Sequence, residues 1–195
     1  MRYDIFATPF WHIEEAPQQL VDDLCKNIAV IKENIHLYQK SLQIPSTLGT
    51  SGISSYSNQG GYQTAQFVWK NFHPYGIKYI EKLVADIFVD YNVDVTGWWY
   101  NINPQGAWNL PHSHGGVDYA LIWYLTDSDG LLRLVNPHSN RIDNIEDGSF
   151  NAKKGDILIF PADIIHYVMP NTKETDRVCI SMNLKLYNHP DLQLC

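Results

Sequence analysis

Charge is scarce in this chain. Asp, Glu, Lys and Arg make up only 18% of its 195 residues, too few for a disordered segment, while 45% apolar residues suffice for the core of one ordinary domain. Basic residues are the scarcer sign. The formal net charge is −7, and no Lys/Arg run exceeds Lys153-Lys154. A phosphate backbone would be repelled, so nucleic acid is not an expected partner. Cysteine is nearly absent too. Cys25, Cys179 and Cys195 are odd in number, far apart and form no Cys-x-x-Cys pair. That excludes a disulfide framework and a cysteine zinc site, and a reducing cytosol fits best. No window approaches the roughly 20 consecutive apolar residues that a membrane helix needs. The opening Met1-Arg2-Tyr3-Asp4 carries an acid early, unlike a signal peptide. The expectation is a soluble, intracellular, cytoplasmic protein with no membrane partner.

What is present is ordered along the chain. Residues 3–10 read as a short strand. Over residues 17–39, Leu20, Leu24, Ile28, Ile31, Ile35 and Tyr38 recur at steps of three and four, which predicts one helix with a single apolar face. Residues 45–64 are rich in Gly, Ser, Thr, Asn and Gln and read as a long loop, a common place for a lid. Its Gly60-Gly61 pair would permit closure, and a plain connection is the alternative. A second helix is predicted over 75–90. From residue 93 the pattern becomes short β-branched or aromatic runs: 93–101, 119–125, 131–135, 157–160 and 178–186. Turns fall at Asp127-Ser128-Asp129-Gly130 and Lys153-Lys154-Gly155-Asp156. Helices first and strands after, without alternation, point to an antiparallel sandwich or barrel backed by helices. One domain over residues 1–195 is expected, with helical support over 15–92 and a β core over 93–187.

The chemistry concentrates in three places. His112 and His114 stand at i and i+2 in Asn109-Leu110-Pro111-His112-Ser113-His114. On an extended chain both imidazoles point the same way and can reach one cation. His166 follows a turn, an apolar strand and Pro161, which places it at a strand end facing a cavity. Three ligands on one face of an octahedron leave the opposite face open for substrate and oxygen. Eleven residues after His166, Arg177 opens a strictly alternating strand. Val178, Ile180, Met182, Leu184 and Leu186 share one face. Arg177, Cys179, Ser181, Asn183 and Lys185 share the other. Arg177 with Ser181 can grip a carboxylate, the first as a bidentate fork and the second through one hydroxyl. Trp98, Trp99, Trp108 and Trp123 are divided between pocket and core, because Trp99 and Asn101 share one strand face and Trp98 and Tyr100 the other. Asn109 either positions the His112 loop or caps a turn.

Tyr100, Gly106, His112-x-His114, Gly155-Asp156, Phe160-Pro161, His166 and Arg177 with Ser181 together resemble the 2-oxoglutarate/Fe(II)-dependent oxygenase superfamily. The Trp99-Tyr100-Asn101 run and Asn109-x-x-His112-x-His114 are similar to a branch of small oxygenase-like proteins related to prolyl hydroxylases. Residues 57–64 are more loosely similar to a loop of that branch. The resemblance implies a double-stranded β-helix (jelly-roll) core. It implies His112 and His166 as iron ligands, and Arg177 on the distal carboxylate of 2-oxoglutarate, with Ser181 and Tyr100 as candidate helpers. It implies Fe(II), 2-oxoglutarate and O2 as cofactor and cosubstrates. The implied reaction is hydroxylation of a C–H bond with oxidative decarboxylation of 2-oxoglutarate, with a protein or peptide side chain as one substrate class.

Two departures stand out. Most of the superfamily has a carboxylate where this chain has His114, so three neutral imidazoles leave the site one charge more positive. Asp118 is the alternative third ligand, at a spacing unlike the usual one. The branch also has Ser-Gly before its aromatic strand, where this chain has Ala120-Leu121. Two further readings compete: a cupin-like three-histidine enzyme without 2-oxoglutarate, for which Arg177 would be superfluous, and a non-catalytic β-helix binding module.

Overall fold

The structure is a computed structural model that describes residues 2–5, 8–14, 16–33, 57–64, 66–128, 132–136 and 148–188. Among these residues it is mostly β, with two α-helices. The single strand expected near the N-terminus is a pair, β1 (Arg2–Ile5) and β2 (Thr8–Ile13), joined antiparallel. The first helix, α1 (Gln18–Glu33), begins just after Pro17 and buries Leu20, Val21, Leu24 and Ile31. The predicted continuation over 34–39 lies outside the described residues. The second, α2 (Pro74–Ile87), has Pro at its first position, where a missing N–H costs nothing. It buries Gly76, Ile80 and Val84. A Cβ at Gly76 would stand 2.5 Å from the Phe72 ring, so this turn of α2 can lie flat on that ring.

Part of the predicted loop forms two short strands, β3 (Asn58–Gln59) and β4 (Tyr62–Gln63), joined by a turn; residues 45–56 lie outside the described set. Gly60 takes φ +73° at its tip, a left-handed conformation that glycine adopts without strain. The remaining strands are β5 (Tyr91–Asn103), β6 (Trp108–His112), β7 (Tyr119–Tyr124), β8 (Leu132–Leu134), β9 (Gly148–Phe150), β10 (Ile157–Pro161), β11 (His166–Val168) and β12 (Arg177–Asn188). They form two antiparallel sheets. The larger runs β1-β2-β10-β7-β12-β5-β4 and the smaller β3-β6-β11-β8-β9. The strands that sequence periodicity missed, β6, β9 and β11, are at most five residues long, and β6 contains Pro111. Runs so short carry almost no period-two signal.

The larger sheet has two unlike faces. On one, Trp98, Tyr100, Leu121, Trp123, Ile157, Ile159, Ile180, Met182 and Leu184 pack in one cluster with Leu20, Val21, Leu24, Ile80 and Val84 of the helices. On the other, Ala120, Ile122, Tyr124, Leu158 and Phe160 pack with Leu132 and Leu134 of the smaller sheet, with Phe10 and with Ile164. The helices thus cover the outside of a two-sheet sandwich. Beside the second cluster, the space between the sheets turns polar. The β3–β4 turn links both sheets there, because β3 pairs with β6 and β4 with β5.

Candidate metal and carboxylate site

Strand register brings the histidines together. β6 and β11 pair so that His112 lies directly opposite His166. The ladder shifts register between His166 and Val168, leaving Leu110 and Pro111 exposed while His112 turns inward. His114 follows two residues on, its backbone N–H bonded to Ala162 O at 2.8 Å. The ring centroids lie 4.2 Å (His112–His166), 5.1 Å (His114–His166) and 5.3 Å (His112–His114) apart. One ligand atom from each of the three falls within 4.8 Å of the others.

Hydrogen bonding fixes which nitrogen each ring offers. His112 Nδ1 is 2.7 Å from Leu110 O, and His166 Nδ1 is 2.9 Å from Ile164 O. A carbonyl only accepts, so both Nδ1 atoms carry the proton and both Nε2 atoms keep a lone pair. His114 Nδ1 meets Asn183 Oδ1 at 2.6 Å, with the same consequence. Burial lowers the pKa of all three rings. His166, the most buried, is held well below the usual histidine value, and the neighbouring His112 lowers it further. Three neutral imidazoles with converging lone pairs are a ready divalent-metal site.

A cavity opens beside them. Its floor comes from the inner face of the larger sheet: Trp99, Asn101 and Asn103 of β5, Ile122 and Tyr124 of β7, and Arg177, Cys179 and Ser181 of β12. Arg177 is 5% exposed and donates to Met169 O at 3.1 Å. Ser181 Oγ accepts from Asn101 Nδ2 at 3.0 Å, which leaves its own proton for another acceptor. Burial pushes the Cys179 thiol up to about 11, with Arg177 drawing it back. Burial also raises the Tyr124 hydroxyl far above its usual range, so it remains a donor. No Asp or Glu lines the cavity among the described residues. A permanent cation among neutral donors suits an anionic ligand.

One sequence expectation needs correcting, and one alternative does not hold. Tyr100 does not reach the cavity. It lies on the opposite sheet face, where its hydroxyl accepts from Asn27 at 3.4 Å and donates to Leu24 O at 3.3 Å under α1. Strand alternation puts Asn101, not Tyr100, beside Ser181. Asp118 is outside the histidine cluster as well. Its carboxylate accepts from Leu186 N at 2.7 Å and pairs with Lys185 at 3.2 Å, clamping its loop to β12. Of the tryptophans only Trp99 lines the cavity, 5.7 Å from the His114 ring; Trp98 and Trp123 are core and Trp108 is 37% exposed.

Several site residues were not foreseen. Tyr124 could have been read from the alternation of 119–125 once one face was assigned. The polar chain from Asn58 to Asn103 (2.6 Å), Asn103 to Asn109 (2.9 Å) and Asn109 to Ser57 (3.1 Å) could not, because it depends on which strands pair. It ties the β3–β4 turn to β5 and β6 beside the cavity and gives Asn109 a positioning role.

Residues 97–183 match the family model described as "Putative 2OG-Fe(II) oxygenase". That match implies Fe(II), 2-oxoglutarate and O2. No curated protein sequence matches the chain. Among solved structures, a prolyl-4-hydroxylase of Pseudomonas putida aligns with a TM-score of 0.59 at 12% identity, covering 93% of this chain and 95% of that one. A Trichoplax adhaerens prolyl hydroxylase, solved with a peptide fragment of hypoxia inducible factor, aligns at 0.57 and 17% identity, covering 90% and 83%. AviO1 of Streptomyces viridochromogenes aligns at 0.64 and 16%, covering 93% and 90%. At such identities the likeness is one of fold, the jelly roll of these oxygenases.

Proposed function

With its resemblance to the 2-oxoglutarate/Fe(II) oxygenases carried by residues 97–183, we propose that this protein hydroxylates a C–H bond while oxidatively decarboxylating 2-oxoglutarate. The observation that carries the reading is the shared cavity: three clustered imidazoles and a buried arginine line the same space. His112, His114 and His166 would hold Fe(II). When bound, Fe(II) with 2-oxoglutarate and O2 supplies the oxidising power for a C–H bond.

The chain's own residues bind, orient and exclude water. Arg177 takes the distal carboxylate of 2-oxoglutarate, with Ser181 and Tyr124 donating beside it. Arg177 and Tyr124 are 5% and 3% exposed, so their bonds to an anion are made with little competing water. Asn101 holds Ser181 in register. Trp99 and Ser57 line the same cavity, where the substrate would approach. We place that substrate among protein or peptide side chains. The fold likeness to prolyl hydroxylases, one of them solved with a peptide, supports this.

The test is product formation. Fe(II)-loaded protein with 2-oxoglutarate should consume O2 and form succinate, slowly alone and faster with a peptide pool. Succinate formation that needs neither Fe(II) nor Arg177 would defeat the reading.

A further inference from the structure

The three histidines are not held alike. His112 and His166 each donate Nδ1–H to the backbone carbonyl two residues earlier, Leu110 O and Ile164 O. Such bonds are local and would survive any side chain at 110 or 164. The partner of His114 is a side chain 69 residues away, Asn183 on β12, at 2.6 Å. Its placement is built into the sheet. β12 pairs with β7 without a break through this point, Ser181 with Ile122 and Asn183 with Ala120, so strand alternation puts Asn183 on the same face as Arg177, Cys179 and Ser181. The loop after His114 is clipped to the same strand, by Asp118 N to Leu184 O at 2.9 Å and Leu186 N to Asp118 Oδ2 at 2.7 Å.

We propose that Asn183 is the positioning residue of the third ligand, its amide oxygen holding Nδ1–H of His114 so that Nε2 turns to the metal. This rests on the three histidines being a metal site. Because β12 also carries Arg177 and Ser181, one strand sets both the third ligand and the carboxylate pocket. The neutral amide matters as well. A carboxylate in its place would add negative charge beside a site meant for a dianion, whereas Asn183 fixes the ring without altering the charge.

The test uses Co(II) as metal probe and the 15N shifts of His114 in metal-free protein. Wild type should show His114 protonated at Nδ1. Asn183→Leu should release that tautomer and weaken Co(II) binding about 10–100-fold. Asn183→Asp should restore both the tautomer and the Co(II) affinity to within a few-fold. His114 protonated at Nε2 in the wild type would overturn the proposal without any variant. So would a folded Asn183→Leu protein with unchanged tautomer and Co(II) affinity. A wild type that binds no Co(II) would remove the metal-site reading on which the proposal stands.

Discussion

The two faces of β12 are made of alternate residues of one strand yet do opposite work. Outward, Val178, Ile180, Met182 and Leu184 are at most 2% exposed in the cluster shared with the helices. Inward, Arg177, Cys179 and Ser181 line a polar cavity, and Asn183 meets His114. The outward face contributes stability through apolar burial. The inward face gives up that contribution, burying a cation and hydroxyl and amide groups, which costs free energy unless each is hydrogen-bonded. Stability and binding should therefore separate by residue parity.

The largest effect belongs to the outward face. Ile180→Ala should lower unfolding stability by about 2–5 kcal/mol, since a buried side chain is lost and a cavity left. Urea denaturation measures this, and under folding conditions 2-oxoglutarate binding should be nearly unchanged. Next comes Arg177→Ala. It removes charge-assisted bonds worth about 1.5–3 kcal/mol, so 2-oxoglutarate affinity should fall roughly ten- to a hundredfold in calorimetry, with a smaller stability loss than Ile180→Ala. Tyr124→Phe should be milder, about 1 kcal/mol in the same titration, because one neutral hydroxyl is lost.

The smallest effect sharpens the face assignment. Burial raises the Tyr100 hydroxyl to about 12. In the unfolded chain it ionises near about 10, so its contribution is full below that pH and is lost as pH rises towards the folded value. Tyr100→Phe should flatten the alkaline decline of stability and leave 2-oxoglutarate affinity unchanged. A changed affinity would return Tyr100 to the cavity side and break the comparison.

Much of this was legible in the chain because β12 writes its two faces as strict alternation, and because His112-x-His114 encodes a shared side on any extended backbone. The same alternation around Trp98–Asn101 already separated Tyr100 from Asn101, and the family pattern, read by position alone, obscured it. What could not be read depends on long-range pairing. No local pattern says that His112 faces His166 across β6 and β11, or that Asn183 meets His114. Nor does one say that Asp118 is occupied by Leu186 N. The strands at 58–63 were hidden for another reason: they are two residues each and exist only through their pairing with β6 and β5.

The central claim is that one cavity holds metal and 2-oxoglutarate together. Fe(II) and then 2-oxoglutarate, added without oxygen to metal-free protein, test it through the visible spectrum. The account predicts a charge-transfer band that needs both additions and, in Arg177→Ala, far more 2-oxoglutarate. Bound iron with no band at any 2-oxoglutarate concentration would contradict it.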